Sequence, residues 1–199
     1  MFVDPVVSRI KFEREVADYR KFSDAYQRRG ILLVEANFPS AFAVILAIHA
    51  KPAPMVPFGV VLDFPDYDVV PPSVQLVNPI TRDKLKMQDI PYQFPRLLPS
   101  VVTATGSDGQ PMQVRTLQAQ MLLQAFVPER PFICLQGVKE YHDSPAHTGD
   151  SWFLHRGTGP GTLTFLLDVL SRYGAEPISG PQINIQVTMT GYAVSGIPS

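Results

Sequence analysis

Residues 58–77 decide the fold, and they read FGVVLDFPDYDVVPPSVQLV. Residues 58–64 are rich in β-branched and aromatic side chains, and residues 73–77 alternate polar and apolar positions, so both segments are predicted as strands. Pro71 and Pro72 stand at the entrance of the second strand, where a proline removes only a backbone donor that lies outside the hydrogen-bonded ladder. We therefore predict two neighbouring antiparallel strands joined by this proline-rich turn.

The residues before this pair predict two more strands and a helix. Residues 31–36 and residues 41–49 are largely apolar runs of strand length. Residues 7–29 place apolar or aromatic side chains three or four positions apart after Phe12, with charged side chains on the other face, which predicts an amphipathic helix. Gly30 follows where glycine often ends a helix. Together these segments predict a four-stranded antiparallel meander behind one helix.

The residues after the pair are less regular. Residues 78–130 contain many prolines and are predicted as an irregular insertion, in which a hairpin is one option. Residues 117–126 fit a short helix or a strand, and the pattern leaves both open. Residues 158–173 carry leucines at helical spacing and predict a second helix. Residues 183–189 alternate polar and apolar positions and predict a C-terminal strand.

The order of these predicted elements indicates an α+β fold, and length and composition fit one globular domain over residues 1–199. Hydrophobic residues make up 45% of the chain, and 17 Lys and Arg oppose 18 Asp and Glu, for a net charge of -1. That balance argues against binding to nucleic acid or to a membrane surface through bulk charge. The single cysteine excludes an intrachain disulfide and fits a reducing compartment. With no apolar run of membrane-spanning length and no signal-peptide pattern at the N-terminus, we predict a cytoplasmic protein.

The residues with the most reactive chemistry are concentrated in one segment. The only cysteine, the only tryptophan and three of the four histidines lie between Cys134 and His155. In one interpretation Cys134 is a nucleophile that a histidine activates. In a second, zinc is held by four donors with the spacing Cys-x5-Glu-x-His-x4-His, namely Cys134, Glu140, His142 and His147. In a third, Cys134 is a buried structural residue followed by an exposed polar loop. The residue pattern alone leaves all three open.

The nucleophile interpretation makes a geometric prediction. Cys134 should share a cleft with at least one of three histidines, which are His142, His147 and His155. Because these residues are close in sequence, the turn at Ser144 and Pro145 must fold the loop back before the side chains can meet.

Two of these segments resemble ubiquitin-conjugating enzymes. Residues 59–74 resemble the strand, the "FPxxYPxxPPxV" turn and the next strand of that family, and residues 133–135 with Trp152 resemble the segment that holds its catalytic cysteine. The first helix, the meander and the helix from Thr158 occupy matching places. The family's "HPN" tripeptide is absent before Cys134. The Cys-Glu-His-His pattern is similar to that of a divergent bacterial branch, which is encoded beside ubiquitin-like proteins and activating enzymes and is regarded as a predicted metal-binding family.

The resemblance implies a ubiquitin-conjugating-enzyme-like (UBC-like) fold and thioester chemistry in a bacterial ubiquitin-like pathway, with antiviral defence as a role that such gene clusters suggest. Cys134 would accept the C-terminal glycine of a ubiquitin-like protein from an activating enzyme and pass it on. His147 or His142 would be the base, and a backbone N–H would stabilise the oxyanion. The activating enzyme would consume ATP, so no cofactor is expected here. The alternative is a non-catalytic adaptor of the same fold that holds zinc through the four donors.

Overall fold

The computed structural model describes residues 3–90, 93–105 and 109–180. The chain begins with helix α1, Pro5–Lys21, whose first turn is capped by the Asp4 carboxylate accepting from the Val6 N–H at 2.9 Å. A second helix, α2, spans Ser23–Arg28. The prediction of one continuous helix over residues 7–29 is therefore wrong at one point, because the backbone leaves the helical region at Phe22.

Two tyrosines account for this break. Tyr19 and Tyr26 would lie about 10 Å apart along the axis of a continuous helix. In the structure their rings stack with centroids 4.8 Å apart. The break at Phe22 makes this contact possible. The spacing of apolar residues in the sequence does not predict the stacking of the two rings.

The predicted meander is confirmed. Its strands are β1 (Ile31–Asn37), β2 (Ser40–Ala47), β3 (Met55–Asp63) and β4 (Ser73–Val77), in that order and antiparallel throughout. Strands β3 and β4 are antiparallel neighbours joined by the proline-rich turn, as predicted, and their register sets Leu62 opposite Val74.

The residues predicted as an irregular insertion are largely regular. Strands β5 (Pro95–Thr105) and β6 (Pro111–Met121) form a two-stranded ribbon of eleven residues each. Two short strands follow, β7 (Leu123–Ala125) and β8 (Pro131–Ile133), which pair with each other. The hairpin option is confirmed and residues 117–126 are mostly extended. Most of the ribbon's side chains are exposed, so burial imposes no clear polar and apolar alternation that the sequence could reveal.

Helix α3 (Lys139–Asp143) and helix α4 (Leu163–Gly174) complete the described fold. The predicted start of the second helix at residue 158 is wrong. Gly159 and Gly161 have positive φ angles that a helix cannot contain, and Thr162 caps the helix by accepting from the Phe165 N–H at 3.3 Å. The predicted strand over residues 183–189 lies outside the described residues.

Helices and sheet enclose one hydrophobic core. Helix α4 contacts α1, β1 and β2. The largest side chains buried in this core are aromatic and aliphatic residues from every layer: Phe12, Phe58, Phe64, Phe94, Leu62, Leu123, Ile133 and Leu166. This mixed packing confirms the α+β class. Among the described residues, no helix combines the length and the apolar character needed to cross a membrane.

Candidate functional site: a cysteine–histidine pair at the base of the ribbon

Cys134 lies at the junction between the ribbon and the main body of the protein. It directly follows β8, and its N–H donates to the Leu122 carbonyl at 2.6 Å, at the point where β6 passes into β7. The residue is buried, and this burial raises the pKa of the thiol, while the positive charge of Arg96 on β5 partly offsets the rise. The resting thiol is therefore protonated at neutral pH and needs a proton acceptor in order to react.

His147 is placed to be that acceptor. Its Nε2 lies 3.4 Å from the Cys134 Sγ, within the range of a hydrogen bond to sulfur. The chain reaches this geometry through a short 3-10 turn, Pro145–His147, in which the Ser144 hydroxyl accepts from the Ala146 N–H at 3.3 Å. The turn at Ser144 and Pro145 folds the loop back and brings His147, one of the three predicted histidines, into contact with Cys134.

The His147 ring is held from its other side. It stacks on the Tyr141 ring, with centroids 3.9 Å apart and planes inclined by 20°. The Tyr141 hydroxyl donates in turn to the Asp150 carboxylate at 2.7 Å. Burial, followed by this bond to Asp150, raises the pKa of Tyr141 to about 12, so the phenol remains a proton donor.

Asp150 is the organising residue that sequence reasoning missed. Its carboxylate accepts from Tyr141 and from the Gln136 amide at 3.0 Å, and it forms a short hydrogen bond with the His155 Nε2. These hydrogen bonds, with that to His155 the largest, hold the pKa of Asp150 well below the ordinary aspartate value. The position of Asp150 between two histidines is the only signal that the sequence offered, and an acidic residue in a polar loop is too common to be singled out.

His142 is occupied by the backbone on both sides of its ring. Its Nε2 accepts from the Gly137 N–H at 3.2 Å, and its Nδ1 lies 2.8 Å from the Asp150 carbonyl oxygen. This network assigns the proton to Nδ1, because a carbonyl can only accept. Of the two histidines predicted as bases, only His147 has a ring nitrogen directed at the sulfur in this arrangement.

The four predicted zinc donors do not form a ligand set in this structure. Both nitrogens of His142 are already bonded, and the Glu140 carboxylate accepts a short hydrogen bond from Ser73 on β4. Within residues 3–90, 93–105 and 109–180, no three His, Cys, Asp or Glu side chains are grouped closely enough to hold a metal ion. Zinc binding through the His142 Nε2 would require the ring to give up its bond to the Gly137 N–H, while its Nδ1–H could keep the Asp150 carbonyl.

All of these residues lie within the length of chain that matches a known protein family. A family model described as Y4jH-like, Y4jH family, matches residues 3–178. The chain is also similar to the uncharacterized protein y4jH of Sinorhizobium fredii (strain NBRC 101917 / NGR234). The two are 40% identical over 193 residues, which cover 96% of this chain and 94% of that protein.

Proposed function

The chain belongs to the Y4jH family, and from that premise we propose that it is a UBC-like protein that carries a ubiquitin-like protein as a thioester on Cys134. The observation that carries this proposal is the 3.4 Å contact between the Cys134 Sγ and the His147 Nε2. A thiol with a proton acceptor in hydrogen-bond range is the arrangement that covalent acyl transfer requires.

The order of the elements supports the same proposal. A helix, a four-stranded antiparallel meander, a cysteine-bearing segment and a further helix follow one another along the chain, as in the family that residues 59–74 resemble. The proline-rich turn joins β3 to β4 as neighbouring antiparallel strands, which supports the likeness. The ribbon formed by β5 and β6 is an addition between β4 and Cys134.

The proposed reaction is redox-neutral. His147 takes the proton from Cys134, and the thiolate attacks the carbonyl carbon of the thioester that joins the ubiquitin-like protein to its activating enzyme. A new carbon–sulfur bond to Cys134 forms, the old one breaks, and the departing thiolate of the activating enzyme takes up a proton. A nucleophile on the target then attacks the new thioester and restores the Cys134 thiol.

The zinc-holding adaptor is the weaker alternative. It needs Glu140 and His142 as ligands, and both are engaged in hydrogen bonds that position α3 and the loop after it. A zinc-bound thiolate would also be a poorer acyl acceptor than a free one.

The decisive experiment combines a thioester assay with elemental analysis. The neighbourhood of the gene is first searched for a ubiquitin-like protein and an activating enzyme, and the absence of both would count against the proposal. The purified protein is then mixed with ATP and with these two proteins. We expect an adduct that a reducing agent removes, that is absent in Cys134→Ala, and that forms more slowly in His147→Gln. His49→Gln is the matched control, because His49 lies on an exposed turn after β2.

The opposite result is equally specific. Stoichiometric zinc in the purified protein, lost in Glu140→Ala, together with no adduct on Cys134, would replace the transfer proposal with the adaptor.

A further inference from the structure

The register of the ribbon brings a cationic side chain close to Cys134. Arg96 on β5 pairs with Gln120 on β6, and Leu122 lies two residues beyond Gln120. Cys134 is bonded to the Leu122 carbonyl through its own N–H. The Leu122 N–H donates in turn to the Phe94 carbonyl at 3.2 Å. Arg96 lies two residues after Phe94, so it stands at the base of the ribbon, beside the backbone that holds Cys134.

The bonding of Arg96 is incomplete. Its Nη2 donates to the Gln120 Oε1 at 2.5 Å, which fixes the guanidinium against the ribbon. Its Nε is buried, and no acceptor for it is present among the described residues. A buried donor on a charged group costs free energy when it is unpaired, and each such group therefore calls for an explanation.

The charge of Arg96 is also available. Among the described residues no carboxylate forms an ion pair with it. Its effect is felt at Cys134, where it opposes the rise that burial causes in the pKa of the thiol. Negative charge that develops near the sulfur is therefore stabilised from the ribbon side.

We propose that Arg96, held by Gln120, binds the carbonyl oxygen of an acyl group at Cys134 and stabilises the oxyanion that forms there. The inference rests on the proposed function and names the group that replaces the missing asparagine. When the sulfur adds to the carbonyl carbon, the electron pair of the C=O bond moves to oxygen, and Arg96 donates to that oxygen. Collapse re-forms the C=O bond and expels the leaving thiolate, with no net oxidation.

Alkylation tests the anion-binding part without any partner protein. Cys134 is the only cysteine, so iodoacetate and iodoacetamide both report on this one sulfur. Both reagents consume the same thiolate, so the ratio of their rate constants is insensitive to changes in the pKa of the thiol. An available cation near the sulfur should raise the ratio for the anionic reagent by about threefold, the scale of one unit-charge attraction at the protein surface.

We expect Arg96→Gln to lower the ratio of the iodoacetate rate to the iodoacetamide rate, and Arg96→Lys to retain part of it. Arg115→Gln is the matched control, because Arg115 is exposed on the same ribbon but faces the other side. An unchanged ratio in Arg96→Gln would overturn the proposal. Failure of both reagents to label the folded protein would do so too, because an acyl group must reach the same sulfur.

The thioester assay separates this inference from the proposed function. If transfer occurs, Arg96→Gln should lower kcat by about 100-fold, the scale of one oxyanion donor, with little change in KM, and Arg96→Lys should recover part of the loss. An adduct that forms at the normal rate in Arg96→Gln would refute the inference and leave the proposed function standing. If the ratio of the iodoacetate and iodoacetamide rates depends on Arg96 but the parent protein forms no thioester adduct, Arg96 binds anions near Cys134 and the proposed function is refuted.

Discussion

The protonation state of Cys134 governs its reactivity at the scale of single residues. Burial raises the pKa of the thiol, so the reactive thiolate becomes more abundant only as pH rises above the ordinary cysteine value of about 8.5. We expect the rate of iodoacetamide modification to keep increasing beyond that pH. His147→Gln should slow the reaction several-fold at neutral pH, whereas His49→Gln should not. A rate that reaches its plateau below pH 8.5 would contradict the role of burial.

Asp150 is the second residue with a predictable effect. Asp150→Asn removes the charge from the bonds to His155 and Tyr141, and we expect the free energy of unfolding to fall by about 1–2 kcal/mol because the site is partly exposed. Modification of Cys134 should slow as well, since Tyr141 would no longer fix the His147 ring. Denaturant unfolding and alkylation measure the two effects.

The pH dependence of the Asp150 contribution has a defined sign. The pKa of Asp150 is lowered in the folded protein, so its contribution is complete above the unfolded value of about 3.9 and is lost as pH falls through the folded value. Asp143→Asn is the control, because Asp143 forms an exposed pair with Lys139 on α3 and such pairs contribute little. If Asp143→Asn lowered the free energy of unfolding as much as Asp150→Asn does, the network around Asp150 would contribute no more than an exposed ion pair.

At the scale of elements, one buried carboxylate joins α1 to α4. Glu15 accepts from the Leu163 N–H at the start of α4 and from the Tyr67 hydroxyl, each at 3.1 Å. Glu15→Ala leaves both donors unpaired and should lower the free energy of unfolding by about 2–4 kcal/mol. Glu15→Gln should cost much less, since its amide oxygen can accept from Leu163 while its NH₂ donates to Tyr67.

The same pair of variants tests the protonation of Glu15. Burial raises the pKa of this carboxyl, so its stabilising effect is complete below the unfolded value of about 4.3 and declines as pH rises through the folded value. Denaturant unfolding across that range should show the decline in the parent and in the surface control Glu13→Gln, but not in Glu15→Gln. If the free energy of unfolding of the parent instead rose with pH relative to that of Glu15→Gln, burial would not be what sets the pKa of Glu15.

At the scale of the whole molecule, the ribbon and the meander should differ in stability. Within the described part of the chain, strands β5 and β6 pair only with each other, and Leu97, Val101 and Leu117 on one face are each more than half exposed. A two-stranded ribbon of this kind is marginal in water. We expect amides of β5 and β6 to exchange with solvent through local opening, while those of β2 and β3 exchange only on global unfolding. Hydrogen exchange read by peptide mass spectrometry checks this, and equal protection of ribbon and meander would oppose it.

The elements that could be predicted correctly from sequence are those whose pattern of apolar residues matches their burial in the fold. Alternation over residues 73–77 and the run over residues 58–64 place β4 and β3 correctly, because one face of each strand must be buried and side chains alternate across a strand. The contact between Cys134 and a histidine could also be predicted, because the two residues are close in sequence.

Features that depend on contacts between distant segments are visible only in the folded protein. The break at Phe22 follows from the stacking of Tyr19 on Tyr26, and the ribbon from pairing between segments whose exposed side chains carry no burial pattern. The choice of His147 over His142 follows from backbone groups that occupy the His142 ring. Asp150 and Arg96 gain their importance from what surrounds them in space, and polar residue types alone do not specify such three-dimensional networks.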